Sequence, residues 1–162
     1  GCSVSTAGDV NGDSRSDFIV GAYFADPGGL SAAGTAYVYS GATGTVLYTL
    51  NGAAAGDNFG ASVSTAGDVN GDGKSDFIVG ADLTDPAGVG TNAGTAYVYS
   101  GATGTLLYSR NGAAAGDNFG HSVSTAGDVN GDGKSDFIVG AYFAIPVGVG
   151  AEAGSAYVYL AR

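Results

Sequence analysis

Residues 62–81 read SVSTAGDVNGDGKSDFIVGA. A run of small apolar and hydroxyl residues leads into a nine-residue acidic loop, Asp68–Asp76. The loop empties into DFIVGA, whose Phe-Ile-Val centre suits a strand buried on both faces. Oxygen-bearing side chains fall at loop positions 1, 3, 5 and 9, with glycines between them. A short loop wraps a hard cation such as Ca²⁺ with this alternation. The cassette recurs: the loop is DVNGDSRSD at Asp9–Asp17 and DVNGDGKSD at both Asp68–Asp76 and Asp128–Asp136.

Around each loop the repeat carries four strand candidates. SVSTAG is the first (residues 3–8, 62–67 and 122–127) and DFIVGA the second (17–22, 76–81 and 136–141). GTAYVYSG is the third (34–41 and 94–101, with its relative GSAYVYL at 154–160), showing a period-two pattern. TVLYTLNG and TLLYSRNG form the fourth (45–52 and 105–112). Compact SGATG turns and Pro/Gly stretches separate them, and no segment holds a helical period with caps. The reading is all-β, with repeats at about 1–58, 59–118 and 119–162 forming one propeller domain or a fragment of one. About eleven antiparallel strands make three blades, fewer than the usual ring of four to eight. Hence the chain is expected to be part of a larger propeller or to complete its ring as a homo-oligomer.

Composition narrows the classes. The net charge is −10, and nine of the 15 acids are the Asp residues of the three loops. The acidity is therefore mostly local ligand charge and argues against nucleic acid, which needs a basic surface. No apolar run is long enough for a membrane span. The single cysteine, Cys2, precludes an internal disulfide. The chain starts with Gly and carries no signal peptide, as a mature product or a piece of something longer would.

The metal reading assigns five residues to each loop. They are Asp9, Asn11, Asp13, Arg15 and Asp17; Asp68, Asn70, Asp72, Lys74 and Asp76; and Asp128, Asn130, Asp132, Lys134 and Asp136. Arg15, Lys74 and Lys134 would offer only a backbone carbonyl, the Lys74 ammonium pointing to solvent, and the ninth-position Asp would close the shell. A metal-free Asx-rich turn is the simpler alternative for any one copy. Three copies, each crowding four oxygen side chains into nine residues, favour a cation. About three Ca²⁺ are expected, the first more weakly held because Ser14 stands where the other loops have glycine. An EF-hand is excluded, since position 12 is Val20, Val79 or Val139 instead of Glu.

The run FGASVSTAGDVNGDGKSDFIVGA (Phe59–Ala81) resembles the FG-GAP repeat of integrin α-subunit β-propellers and their bacterial relatives, as does FGHSVSTAGDVNGDGKSDFIVGA (Phe119–Ala141). The first copy matches from Gly1 but lacks the Phe, and proline comes later than in the family pattern, at Pro27, Pro86 and Pro146. The resemblance implies repeats that straddle adjacent blades. It also implies structural calcium on one face and partner contacts on the opposite one. On that second face the candidates are Tyr23, Asp26, Asp82, Asp85 and Tyr142, with Phe24, Leu83 and Phe143 read as packing between blades and Asp57 and Asp117 as turn caps. The implied function is a non-catalytic, calcium-stabilised extracellular adhesion or protein-interaction module. A self-assembling scaffold and a glycan-binding lectin are the alternatives. An enzyme has little support, because His121 is the only histidine and nothing marks a nucleophile for it.

Overall fold

In the computed structural model, which describes residues 1–146, 148 and 153–162, eleven strands form three antiparallel meanders. The first contains β1 (Ser3–Gly8), β2 (Asp17–Ala22), β3 (Thr35–Tyr39) and β4 (Val46–Asn51), in that order. The second contains β5 (Ser62–Gly67), β6 (Asp76–Ala81), β7 (Thr95–Tyr99) and β8 (Leu106–Asn111). The third contains β9 (Phe119–Gly127), β10 (Asp136–Ala141) and β11 (Ser155–Tyr159), ordered β11-β10-β9. The only helical element among the described residues is a 3-10 turn at Pro27–Gly29.

Ten of the strands lie within the stretches read from sequence. β9 is longer, beginning at Phe119 because Phe119 pairs with Ala141 across a bulge. The first strands β1, β5 and β9 are neighbours, so the three sheets stack as blades about one side, and the array is open.

Two apolar layers glue the blades. Between blades one and two, Val10, Ile19 and Val38 meet Phe59, Phe77 and Val79. Between blades two and three, Val69, Ile78 and Val98 meet Phe119, Phe137 and Val139. Period-two alternation produces this: Ile on the second strand faces the next blade, while its Phe and Val neighbours face the previous one. The expected two-sided burial of DFIVGA therefore holds fully only for β6, all six residues of which are buried. In β2, Phe18 is exposed and Val20 half-buried; in β10, Ile138 is half-buried. Those two strands have a blade on one side only.

The FG residues tie consecutive blades. Phe59 bridges to Gly34, and Phe119 to Gly94, in the preceding blade. Meanwhile the Phe59 ring lies 5.6 Å from Tyr97 and 6.3 Å from Tyr99 in its own blade. Phe77 sits between Tyr99 (5.7 Å) and Tyr48 of blade one (6.0 Å), and the Tyr48 hydroxyl donates to the Gly101 carbonyl at 2.7 Å.

Candidate functional site

The three acidic loops lie side by side along one edge. Each is organised by its own carboxylates. The Asp68 carboxylate accepts hydrogen bonds from the N–H groups of Gly71 (2.7 Å), Asp72 (3.1 Å) and Gly73 (2.8 Å), and Asp128 does the same with Gly131, Asp132 and Gly133. The Gly133 N–H, the largest influence, holds the Asp128 carboxyl below its ordinary range. Asn70 and Asp72 accept from Asp72 and Lys74 in turn. The turn needs a left-handed sixth residue. Gly73 and Gly133 supply it at φ 82 and 87, while Ser14 is held at φ 66, a conformation costing a non-glycine residue about 1–2 kcal/mol. Ser14 still donates its N–H to Asp9 at 2.8 Å, so the first loop keeps the geometry under strain.

The ninth-position aspartates do something the sequence did not reveal. Asp17, Asp76 and Asp136 are almost fully buried. Asp76 accepts the Val69 N–H at 2.9 Å on one oxygen and the Gly101 N–H at 2.9 Å on the other. Asp17 pairs likewise with Val10 and Gly41, and Asp136 with Val129 and Ala161. Each carboxylate thus bolts its acidic loop to the segment that follows the third strand. Burial, opposed by those two hydrogen bonds and reinforced by the charges of Asp72 and Asp68, pushes the Asp76 carboxyl up to about 6.

The donor chemistry fits a hard cation. Every side-chain donor is an oxygen, and a bound cation would offset the repulsion among the loop carboxylates, a smaller contributor than burial to the raised Asp76 carboxyl. Among the described residues, however, no three His, Cys, Asp or Glu side chains already converge as a metal group.

The loops also interlock across blades. The Ser75 N–H donates to the Asp9 carbonyl (3.0 Å) and the Ser135 N–H to the Asp68 carbonyl (2.8 Å). The Lys74 ammonium does not point to solvent as expected; it donates to the Asn11 carbonyl of the neighbouring loop at 3.3 Å. That carbonyl is close enough to compete with water for the ammonium.

The opposite edge is built from the second-to-third and fourth-to-first connections. Asp26 and Asp85 are exposed, and each pins its own loop, accepting the N–H of Ala32 and Asn92 respectively at 2.7 Å. Asp57 and Asp117 cap the Ala53–Gly56 and Ala113–Gly116 turns, as expected. Phe24 and Phe143 do not pack between blades. They are exposed and paired with Tyr23 (4.2 Å) and Tyr142 (4.4 Å), and Phe143 also lines a cleft with Ala114 and Asp117.

Asp82 is buried and joined to His121 of blade three, Oδ2 to Nδ1 at 2.8 Å, while its Oδ1 has no partner among the described residues. His121 stacks in turn on Tyr142 at 5.1 Å. His121 thereby gathers two of the candidates, Asp82 and Tyr142; Tyr23 and Asp26 stay on blade one, and Asp85 on its own loop of blade two. The available signal was positional: repeat two alone has Asp where its siblings have Tyr23 and Tyr142, and repeat three alone has His opposite. Replacing His121 by alanine is expected to destabilise the chain by about 1–3 kcal/mol, by leaving the Asp82 carboxylate unpaired; chemical denaturation measures it.

Equivalent clefts on this edge differ in chemistry. One of about 400 Å³ is lined by Asp57, Thr84, Asp85, Tyr97, Ser109 and Asn111. Its counterpart in the next blade, about 430 Å³, is lined by Ala114, Ala115, Gly116, Asp117, Phe143 and Ile145.

Comparison with known proteins agrees with this architecture. The FG-GAP repeat model matches residues 3–39, 59–99 and 119–159. Mouse integrin alpha-E is 35% identical over 147 residues, covering 82% of this chain and 12% of the integrin. Integrin alpha-PS2 of Drosophila melanogaster is 32% identical over 162 residues, covering 88% of this chain and 11% of the integrin. Mouse integrin alpha-IIb is 32% identical over 163 residues, covering 87% and 15%. The chain thus spans a small part of each relative's length. With three matched repeats, each built as a blade bearing an acidic loop, and the second and third tied to the blade before by an FG phenylalanine, the chain belongs to the FG-GAP repeat family.

Proposed function

We propose that this chain is a calcium-stabilised, non-catalytic interaction module that works in adhesion outside the cell. The observation carrying the reading is the division of labour between its two edges. One edge repeats nearly the same oxygen-rich loop three times; on the other, the second-to-third connections differ between copies and expose aromatic rings beside carboxylates. A repeated edge suits bracing, a varied one recognition. Likeness to integrin α-subunits supports protein partners, and oxygen-ligand loops of this kind suit the millimolar calcium outside cells. The non-catalytic reading is supported by His121, which is paired with the Asp82 carboxylate across two blades as a structural contact. No helix among the described residues is long and apolar enough to cross a membrane.

Thermal unfolding in excess calcium and again in chelator tests the calcium half of the reading. Each cation bound only by the folded chain contributes about 2.7 kcal/mol at one hundred times its Kd. The melting temperature is therefore expected to fall clearly in chelator, with the first loop emptying earliest as calcium is lowered. Identical curves would make the loops metal-free turns and remove the reading's physical basis.

A glycan ligand is the second reading, favoured by the hydroxyl- and carboxylate-lined cleft around Asp85 and Tyr97. A glycan array decides it: retention lost on changing Asp85, Tyr23 or Tyr142 supports a lectin, and a blank array removes it.

A further inference from the structure

We infer that the three acidic loops bind calcium as a coupled row, in which the middle loop, once loaded, makes both outer loops bind more tightly. The inference rests on the calcium reading above and adds that the sites do not fill independently.

The coupling runs through the backbone. At each junction the eighth residue of one loop bonds the first residue of the loop before it. The Ser75 N–H donates to the Asp9 carbonyl at 3.0 Å, and the Ser135 N–H to the Asp68 carbonyl at 2.8 Å. Both ends of that bond adjoin expected ligands. Ser75 and Ser135 immediately precede Asp76 and Asp136, which close their loops. Asp9 and Asp68 open theirs, and each carboxylate gathers three N–H groups of its own loop: Gly12, Asp13 and Ser14 in the first, Gly71, Asp72 and Gly73 in the second. The joint has no slack. A Cβ on Gly8 would stand 2.5 Å from the Ser75 Cβ, and one on Gly67 would stand 2.5 Å from the Ser135 Cβ. Each serine is therefore pressed against the residue that leads into the neighbouring loop.

These joints make the middle loop the hub. It reaches loop one through Ser75 and through the Lys74 ammonium on the Asn11 carbonyl, and it receives loop three at Asp68. Loops one and three share no backbone hydrogen bond among the described residues. A cation held by the middle loop fixes both ends of that loop. Fixing Ser75 and Asp76 holds Asp9, and fixing Asp68 holds Ser135 and Asp136. An outer loop whose ligand-bearing end is already held loses less conformational freedom when it binds. By linkage, a loaded outer loop tightens the middle one by the same factor.

Charge acts in the opposite direction, which makes the sign of the effect diagnostic. A loaded loop is less negative than an empty one, so through space alone it would weaken binding by its neighbours. Salt screens that effect, with a Debye length of about 8 Å at physiological ionic strength, whereas the joints are direct contacts that salt leaves in place. The ordering effect is therefore expected to win at physiological salt.

The test is calcium titration of the 162-residue chain at physiological salt, by calorimetry and by the amide resonances of Gly12 and Gly131, which report loops one and three separately. Asp72→Ala, at an exposed position of the middle loop, empties that loop. Loops one and three are then expected to need at least about fivefold more calcium to fill than in the wild type. With Asp72 replaced, the empty middle loop carries two aspartates, −2, against −1 for three aspartates holding a dication, so charge alone would tighten both outer loops. Unchanged or tighter binding there overturns the inference and leaves the calcium reading intact. A wild type that takes up no calcium removes the reading and the inference together, so the two failures look different. Asp13→Ala is the control: it empties loop one and is expected to leave loop three near its wild-type affinity, because loop two still fills beside it. An equal loss at loop three in both variants would overturn the hub. Circular dichroism checks the fold, and should Asp72→Ala unfold the chain, Asp72→Ser, whose hydroxyl can still accept the Lys74 N–H, replaces it.

Discussion

Replacing Phe77 by alanine is expected to cost about 3–5 kcal/mol, enough to unfold much of a marginally stable chain. Phe77 is fully buried and its ring is flanked by Tyr48 of one blade and Tyr99 of another. The substitution therefore removes apolar area and opens a cavity at an interface whose two walls belong to different sheets. Neither wall can collapse inward without dragging its own ladder. The paired control is Phe18→Ala, the same residue in the first repeat. Phe18 is partly exposed and stacks on Tyr39 alone at 5.1 Å, so about 1 kcal/mol is expected. Urea melts of both variants, at concentrations where the chain is single, measure the difference. Equal losses would mean that the sheets do not stack as described.

Asp76→Ala is expected to be the more instructive loss. It removes the acceptor for the Val69 and Gly101 N–H groups and leaves both donors in a buried place. At about 1–3 kcal/mol for each orphaned donor, the loss is roughly 2–6 kcal/mol. Because those bonds belong to the fold, the loss should persist in chelator. Asp72→Ala, at an exposed loop position, should cost little in chelator and show its effect only with calcium present. Comparing the two variants with and without calcium separates the bolt from the cation cradle. A loss at Asp76 that vanishes in chelator would return that residue to the role of a plain ligand.

Most of the architecture was legible because repetition multiplies weak signals. A single TAYVY is an ambiguous apolar run; three copies in the same order beside DFIVGA fix strand type, pairing and direction. The acidic loops were legible as candidates for the same reason. What escaped were features that depend on contacts distant in sequence. The buried duty of Asp17, Asp76 and Asp136 follows from the approach of a segment about 25 residues away, as the Asp76–Gly101 bond shows. The inward reach of Lys74 depends on a loop 63 residues away. The outward aromatic pairs at Phe24 and Phe143 follow from loop conformation, which leaves each Phe exposed beside its own Tyr. Sequence period tells which face of a strand is apolar and is silent on whether another blade lies against it.

The hydrogen bond between Asp82 and His121 has a meaning for folding. Near-identical blades face a bookkeeping hazard: any one can pair with the wrong neighbour at little energetic loss, and repeat arrays misassemble in this way. Here one junction is keyed. Asp82 on the second blade finds its histidine only on the third, because the first has Cys2 and the second has Ala61 at that place. A swapped order strands a buried carboxylate, so this one contact turns three interchangeable parts into an ordered series.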